Sequence, residues 1–140
     1  MKIKSGFTLI ELIIVIMIIG GLAAIALPSY WIQTLKVKNQ EASRALMAVW
    51  EAQRDYYRTN GAYTAIMTDL DVEFPSGLKY FSGPTAVAGT PGSCGGPAVP
   101  VLATAVANTG GYTLSVLEDG RIVCSPCGDP LCAQMGFPDW

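Results

Sequence analysis

The chain contains no histidine, and only 14% of its residues are charged. The absence of histidine removes the commonest general base and the commonest metal ligand. The sequence also contains no glycine-rich phosphate loop, nucleophile elbow or zinc-protease motif. Its net charge of −2 offers no extended basic surface for nucleic acid, although a small local basic patch is compatible with it. We therefore expect neither an enzyme nor a general nucleic-acid-binding protein, and we expect no cofactor.

A continuous and predominantly apolar stretch near the N-terminus, residues 12–35, carries no charge. As a helix this stretch would be roughly 36 Å long, enough to cross the hydrocarbon core of a bilayer. Lys2 and Lys4 precede it, so the positive-inside rule keeps the N-terminus cytoplasmic. A lone carboxylate, Glu11, stands at the start of the apolar run, where burial in lipid costs about 2.5–3.5 kcal/mol on insertion scales. The retention of such a group requires an explanation.

Three interpretations of this N-terminus are open. A secretory signal peptide would be cleaved after Ala24-Ile25-Ala26, but the following Leu27-Pro28 fits poorly and Glu11 is out of place. A plain single-span anchor is compatible with the composition but leaves Glu11 unexplained. If the chain is instead cut after Gly6, the α-amino group of Phe7 becomes a cation on the same helix face as Glu11. Such a pair, within one chain or between neighbouring copies, would fix axial register.

The residues around this cleavage point resemble a known signal. Gly6-Phe7-Thr8-Leu9-Ile10-Glu11 follows a short basic leader and precedes the apolar run. In this order the residues resemble the class III signal of type IV prepilins, a superfamily that includes the pseudopilins, and Pro28 matches the helix proline usual in that family. The resemblance implies cleavage between Gly6 and Phe7 by a prepilin peptidase, N-methylation of Phe7, and a role for Phe7 and Glu11 in subunit assembly. The close match covers roughly residues 1–60.

The resemblance implies a structural subunit of a type IV pilus. Such a subunit is stored in the inner membrane by a single pass and is then polymerised through its N-terminal helix into an extracellular filament used for twitching motility, adhesion or DNA uptake. The implied partners are identical or homologous pilins, the prepilin peptidase and methylase, an inner-membrane assembly platform and, before assembly, the lipid bilayer. A type II secretion pseudopilin is the first alternative. A minor pilin acting as a DNA-binding or adhesive module is the second.

The helix is expected to continue past the apolar run to about Asn60, because Asn60-Gly61 is a good C-terminal stop. Its second half is predicted to be amphipathic, since a stripe at spacings of three and four must pack on the rest of the chain. The stripe consists of Ala42, Ala45, Leu46, Val49, Gln53 and Tyr56. We therefore divide the chain into a leader (1–6), a transmembrane and filament-core helix (7–35), an amphipathic helix (36–60) and a C-terminal region (61–140).

Gly20, Gly21 and Pro28 are the weak points of the predicted helix. Proline removes a backbone hydrogen bond, and each interior glycine costs about 1 kcal/mol relative to alanine. Membrane helices tolerate both residues, which is the plainer interpretation. The family resemblance further suggests that the segment from Gly20 to Ser29 loses helical structure in the assembled filament.

The C-terminal region is predicted to form three or four antiparallel strands packed on the amphipathic stripe. The predicted strands are 78–82, 99–107, 112–117 and 121–124, with a tight turn at Asp119-Gly120. Residues 61–77 and 83–97 are interpreted as loops. Residues 125–140 are rich in proline and glycine and are predicted to be irregular, with Phe137 and Trp140 packing back on the sheet. The fold class is therefore α+β, which corresponds by resemblance to the ladle shape of pilins.

All four cysteines, Cys94, Cys124, Cys127 and Cys132, lie in the last third of the chain. Cys124-Ser125-Pro126-Cys127 is a C-x-x-C motif, so a four-thiolate zinc site is one alternative, although a second C-x-x-C is missing. A thioredoxin-like redox motif would require a βαβ setting. Disulfides are favoured outside the inner membrane, and many pilins fasten their C-terminal segment with one. We favour Cys124–Cys132 with Cys94–Cys127.

The acids Asp69, Asp71 and Glu73 form a loose D-x-D-x-E run. Their hard oxygens suit calcium, but the run lacks the glycine and the remaining ligand positions of an EF-hand loop. We interpret it as a solvated acidic loop and expect no metal site.

Overall fold

The computed structural model describes residues 7–74, 77–91 and 99–137. Its elements are helix α1 (Leu9–Asn60), a short 3-10 turn (Met67–Asp69), strands β1 (Phe81–Pro91), β2 (Pro100–Ala107), β3 (Thr113–Leu117) and β4 (Ile122–Ser125), and helix α2 (Pro130–Met135). The strands form one antiparallel sheet in the order β1-β2-β3-β4. The predicted α+β fold, a long helix with a sheet of three to four antiparallel strands, is confirmed.

The chain divides into two compact units, Met1–Thr34 and Leu35–Trp140. In the first unit, the described residues from Leu9 onward are all helical, and α1 is unbroken through Gly20, Gly21 and Pro28. Nearly every side chain from Phe7 to Ala26 is exposed. A helix that is apolar on all sides requires lipid or other helices around it. The prediction that Gly20–Ser29 unwinds concerns the filament and stays a prediction.

In the second unit, α1 packs on one face of the sheet through the predicted stripe. Ala42, Leu46, Val49 and Gln53 are fully buried, Ala45 is nearly so, and Tyr56 packs at the margin. The sheet contributes Leu102, Leu114, Val116 and Cys124 to the same core. The helix ends as predicted, because Gly61 adopts a φ of 73° and its N–H donates to the Tyr57 carbonyl at 2.8 Å. One helix layer on one sheet layer thus builds the core of this unit.

Strand β1 corrects the predicted boundary between the first strand and the following loop. The strand was expected at 78–82 with a loop from 83, whereas β1 runs from Phe81 to Pro91. Its glycine and proline residues have low intrinsic strand preference, but β2 supplies an antiparallel partner for the strand. The pairing is irregular between Ser82 and Thr85, around Gly83 and Pro84. Glycine and proline are tolerated there because β1 is an edge strand with a bulge.

The C-terminal segment is also more regular than predicted. Residues 125–140 were expected to lack secondary structure, yet Pro130–Met135 form helix α2. Asp129 caps it by accepting a hydrogen bond from the Leu131 N–H at 2.8 Å, and proline occupies the first turn, where it is favoured. Phe137 packs against the core as predicted, whereas Trp140 lies outside the described residues.

Polar contacts, those of Asn39 buried and those of Glu41 nearer the surface, fasten α1 to the C-terminal elements. The Asn39 side chain accepts a hydrogen bond from the Tyr112 hydroxyl at 2.6 Å and donates to the Met135 sulfur at 2.7 Å. Burial raises the pKa of Tyr112, and the hydrogen bond to Asn39 partly offsets this effect. Glu41 accepts hydrogen bonds from the backbone N–H groups of Lys79 and Tyr80, immediately before β1. These contacts satisfy polar groups that would be costly to bury alone.

Candidate functional site

The start of α1 is organised around the side chains of Thr8 and Glu11. The Glu11 Oε2 atom accepts hydrogen bonds from the Thr8 N–H at 3.0 Å and from the Thr8 hydroxyl at 2.8 Å. In return, the Glu11 N–H donates to the Thr8 hydroxyl oxygen at 3.4 Å. This reciprocal arrangement is a capping box, which satisfies N–H groups that have no partner within the helix.

The capping box gives Glu11 a local role that the sequence prediction missed. The prediction considered only a charge pair with the Phe7 α-amino group, yet Thr8-Leu9-Ile10-Glu11 carries the S/T-x-x-E signature of a capping box. Both hydrogen bonds to the carboxylate end on Oε2. The carboxylate can therefore cap the helix and still present its second oxygen to a cation.

The helix that follows this cap is long and apolar. Among the described residues, one helical segment, Leu9–Ala26, has the length and composition needed to cross a membrane. Added Cβ atoms at Gly20 and Gly21 would meet no atom within 4 Å, so neither glycine is required by a close contact within the chain. Phe7, at the head of the segment, is 84% exposed. Gly6 lies outside the described residues.

The cysteines fasten the C-terminal segment. A disulfide joins Cys124 in β4 to Cys132 in α2, with 5.7 Å between the Cα atoms, and both residues are fully buried. This cross-link is the one favoured from the sequence. Cys127 is disulfide-bonded as well. Its predicted partner, Cys94, lies outside the described residues, so that pairing stays a prediction. The alternative of a four-thiolate zinc site is wrong, because the disulfide takes up two of the four thiols.

Comparisons with known proteins extend this picture. The family model for the prokaryotic N-terminal methylation motif matches residues 1–27. The chain is 36% identical over 86 residues, 61% of its length, to the type IV major pilin protein PilA of Myxococcus xanthus (strain DK1622). It is 39% identical over 77 residues, 55% of its length, to the type IV major pilin protein PilE of Neisseria gonorrhoeae. The chain is therefore similar to type IV major pilins over 55–61% of its length.

A third relative is similar over a shorter stretch. The chain is 44% identical over 64 residues, 46% of its length, to the fimbrial protein EcpC of Eikenella corrodens. The matches span 39%, 46% and 42% of the M. xanthus, N. gonorrhoeae and E. corrodens proteins. No solved structure matches the chain significantly.

The acidic run predicted from the sequence lies at the surface of the second unit. Asp69, Asp71 and Glu73 are all exposed, and an Asp69 carboxylate oxygen accepts a hydrogen bond from the Thr64 hydroxyl at 3.1 Å. Within the part of the chain that the structure describes, no three histidine, cysteine, aspartate or glutamate side chains are grouped closely enough to hold a metal ion. Local hydrogen bonding by Asp69 agrees with the interpretation of this run as a solvated loop.

Proposed function

We propose that this chain is a structural subunit of a type IV pilus, held in the inner membrane and then polymerised through its N-terminal helix into an extracellular filament. The observation that carries the proposal is a long helix surface that is apolar on all sides and interrupted only by Glu11. Such a surface suits lipid and a bundle of identical helices equally well. Contacts between copies that do not close into a ring propagate as a helical filament. A structural role of this kind requires no catalytic group.

The proposed maturation removes residues 1–6. Cleavage between Gly6 and Phe7 by a prepilin peptidase, followed by N-methylation, would leave a cationic amine on Phe7. The match of residues 1–27 to the N-terminal methylation motif supports this step. The intact mass and N-terminal fragment spectrum of the native protein test it directly. A chain that begins at N-methylated Phe7 is expected, and one that begins at Met1 or Leu27 would contradict the proposal.

Glu11 has two tasks in this proposal. Its Oε2 atom caps the helix through Thr8, and its other carboxylate oxygen is left to receive the Phe7 ammonium of a neighbouring copy. A carboxylate and an ammonium stabilise each other strongly in an apolar environment, where each is costly alone. A pair of this kind stabilises only the axial register in which the two charges meet, so it positions the incoming subunit.

Three variants separate the two tasks. Glu11→Gln keeps a side-chain oxygen for the capping box but loses the charge, whereas Glu11→Ala loses both. Both variants are expected to remain in the membrane fraction and to yield few sheared filaments. Glu51→Ala, which removes an exposed carboxylate from the same helix, should assemble normally. Wild-type amounts of filament from Glu11→Gln would refute the proposed charge pair.

The pseudopilin alternative shares the same N-terminus and differs in its expected response to calcium. The C-terminal domain of a major pseudopilin more often depends on calcium, so thermal melting with and without the ion distinguishes the two. The pilus proposal predicts no stabilisation by calcium. A large increase in melting temperature would instead favour the pseudopilin. The DNA-binding alternative predicts a salt-sensitive complex with DNA, which a gel-shift titration detects.

A further inference from the structure

An open pocket of about 440 Å³ lies on the second unit, between the end of α1 and the β3–β4 turn. This volume falls within the usual range for small-molecule sites. Three aromatic side chains, Trp50, Tyr57 and Tyr63, line it together with charged groups from α1 and from the turn. No part of the proposed filament function uses this pocket.

The wall of the pocket is held in place by direct contacts. The indole N–H of Trp50 donates to the Glu118 carbonyl at 3.0 Å, and the Tyr63 hydroxyl donates to Glu118 Oε1 at 2.8 Å. The rings of Tyr57 and Tyr63 stack with 4.7 Å between their centroids. Gly120 adopts a φ of 85°, and an added Cβ there would lie 3.2 Å from the Trp50 ring. The turn is therefore fixed against the helix, and the pocket is preformed.

The charges that face the pocket are of both signs and nearly balance. Arg54 and Arg58 lie on the helix side, and Glu118 and Asp119 lie on the turn side. Two of these four charges are compensated by ion pairs, Arg58 with Asp55 at 2.8 Å and Asp119 with Arg121 at 2.6 Å. These are the ion pairs found among the described residues, and they leave Arg54 and Glu118 as the charges available to a ligand.

The Arg54 guanidinium lies over the Trp50 ring, 4.7 Å from its centroid. Stacking uses the plane of the guanidinium and leaves the N–H groups at its edge free to donate. Glu118 uses one carboxylate oxygen for Tyr63 and retains lone pairs for further donors. The pocket therefore offers a strong donor and a strong acceptor beside aromatic side chains.

We propose that this pocket binds a neutral polyhydroxylated ligand, a hexopyranose unit of a glycan. Glu118 would repel an anion, and Arg54 would repel a cation. A sugar hydroxyl can donate to a carboxylate and accept from a guanidinium, and such charge-assisted hydrogen bonds are stronger than neutral ones. The apolar C–H face of a sugar ring suits the aromatic side chains that line the pocket. A neutral sugar thus uses both charges and is repelled by neither.

The binding test uses the full-length chain in detergent, before assembly. The probes are the methyl glycosides of glucose, galactose, mannose, N-acetylglucosamine and N-acetylgalactosamine. Their binding is measured by titration calorimetry. At least one of them is expected to bind saturably. Arg54→Gln and Glu118→Gln should each weaken its binding about tenfold or more, equivalent to about 1.4 kcal/mol. Glutamine at position 118 keeps an acceptor for the Tyr63 hydroxyl, so the wall of the pocket is retained.

Arg44→Gln is the matched control, because it removes an exposed guanidinium from the same helix outside this pocket and should bind the sugar normally. The proposal is overturned by an absence of saturable binding to all five neutral glycosides. Tighter binding of sialic acid or of glucosamine, which carry a charge, would also overturn it, as would an equal loss in the control. Because binding is measured on the unassembled chain, the outcome is independent of filament formation.

Discussion

The side-chain amide of Gln53 pairs with the backbone of Thr64 in both directions. Its Nε2 atom donates to the Thr64 carbonyl at 2.6 Å, and the Thr64 N–H donates to its Oε1 atom at 3.1 Å. Nε2 also lies 3.4 Å from the carbonyl oxygens of Val87 and Leu102. A single buried side chain of α1 therefore acts as a backbone-like partner for the loop that follows the helix and also reaches the sheet.

Replacing Gln53 with methionine, which has a similar shape, should destabilise the second unit. The variant leaves the buried N–H and carbonyl of Thr64 without partners, and each unsatisfied group costs about 1–3 kcal/mol. Denaturant unfolding of the full-length chain measures the change. Gln40→Met, at an exposed position of the same helix, is the control and should change the free energy of unfolding by less than about 0.5 kcal/mol. Equal stability of the two variants would show that the Gln53 pair contributes nothing.

Replacing Gly120 with alanine is expected to destabilise the second unit for two reasons, its positive φ and its contact with Trp50. Gly111 shares only the first of these and serves as the comparison. Both Gly120 and Gly111 have a positive φ, 85° and 68°, which costs a residue with a Cβ about 1–2 kcal/mol. An added Cβ at Gly120 would also press on Trp50 at 3.2 Å, whereas one at Gly111 would meet nothing within 4 Å. Gly120→Ala should therefore lower the melting temperature more than Gly111→Ala and should alter Trp50 fluorescence. Identical effects of the two substitutions would exclude a role for the Trp50 contact.

The Tyr63 hydroxyl should titrate at unusually high pH. Burial raises its pKa to about 12, helped by the hydrogen bond to Glu118 and by the negative charge of that residue. An unfolded tyrosine has a pKa of about 10. The stabilisation linked to the neutral hydroxyl is thus complete below pH 10 and is lost as the pH rises from about 10 to 12. Tyrosinate absorbance should show a late ionisation step whose amplitude falls by one tyrosine in Tyr63→Phe, because the pKa of Tyr112 is raised as well.

The same titration of Glu118→Gln tests how much the charge of Glu118 raises the pKa of Tyr63. The substitution removes the negative charge beside Tyr63 while keeping an acceptor, so the pKa of Tyr63 should fall toward its ordinary value. The loss of stability between about pH 10 and 12 should shrink with it, because the folded and unfolded pKa values of Tyr63 then lie closer together. A late step that persists unchanged in Glu118→Gln would show that the negative charge of Glu118 contributes nothing to the raised pKa of Tyr63.

Removal of the Cys124–Cys132 disulfide should release the C-terminal segment. The cross-link closes a loop between residues separated by 8 positions and typically contributes about 2–4 kcal/mol, toward the lower end for a short loop. The double substitution by alanine should lower the melting temperature and expose α2 to proteolysis. Cys127→Ala, which removes a different disulfide, is the comparison and should leave α2 protected. A double variant as resistant to protease as the wild type would contradict the prediction.

Local sequence patterns were sufficient to predict the elements whose formation depends on residues close together along the chain. The stripe from Ala42 to Tyr56 repeats with the helical period, and it is buried as that period requires. Residues 112–117 alternate in polarity ahead of Asp119-Gly120, and β3 pairs with β4 across that turn as a hairpin. Thr8 and Glu11 carried an equally local signature, but the search for a charge partner for Glu11 overlooked it.

Tertiary structure decided the features in which distant residues compensate for weak local preference. Strand β1 exists because β2 satisfies its backbone, although glycine and proline in Phe81–Pro91 favour a loop. Gln53 and Asn39 are buried because Thr64, Tyr112 and Met135 supply their hydrogen bonds from far along the chain. The pocket between Arg54 and Glu118 likewise depends on the docking of the β3–β4 turn on Trp50. The sequence by itself determined the apolar helix, its lone carboxylate and the hairpin, because those depend on spacing along the chain. Three other features depend on contacts between residues that are distant in sequence: the edge strand, the buried amides and the charged pocket. The spacing of residues along the chain does not specify such contacts.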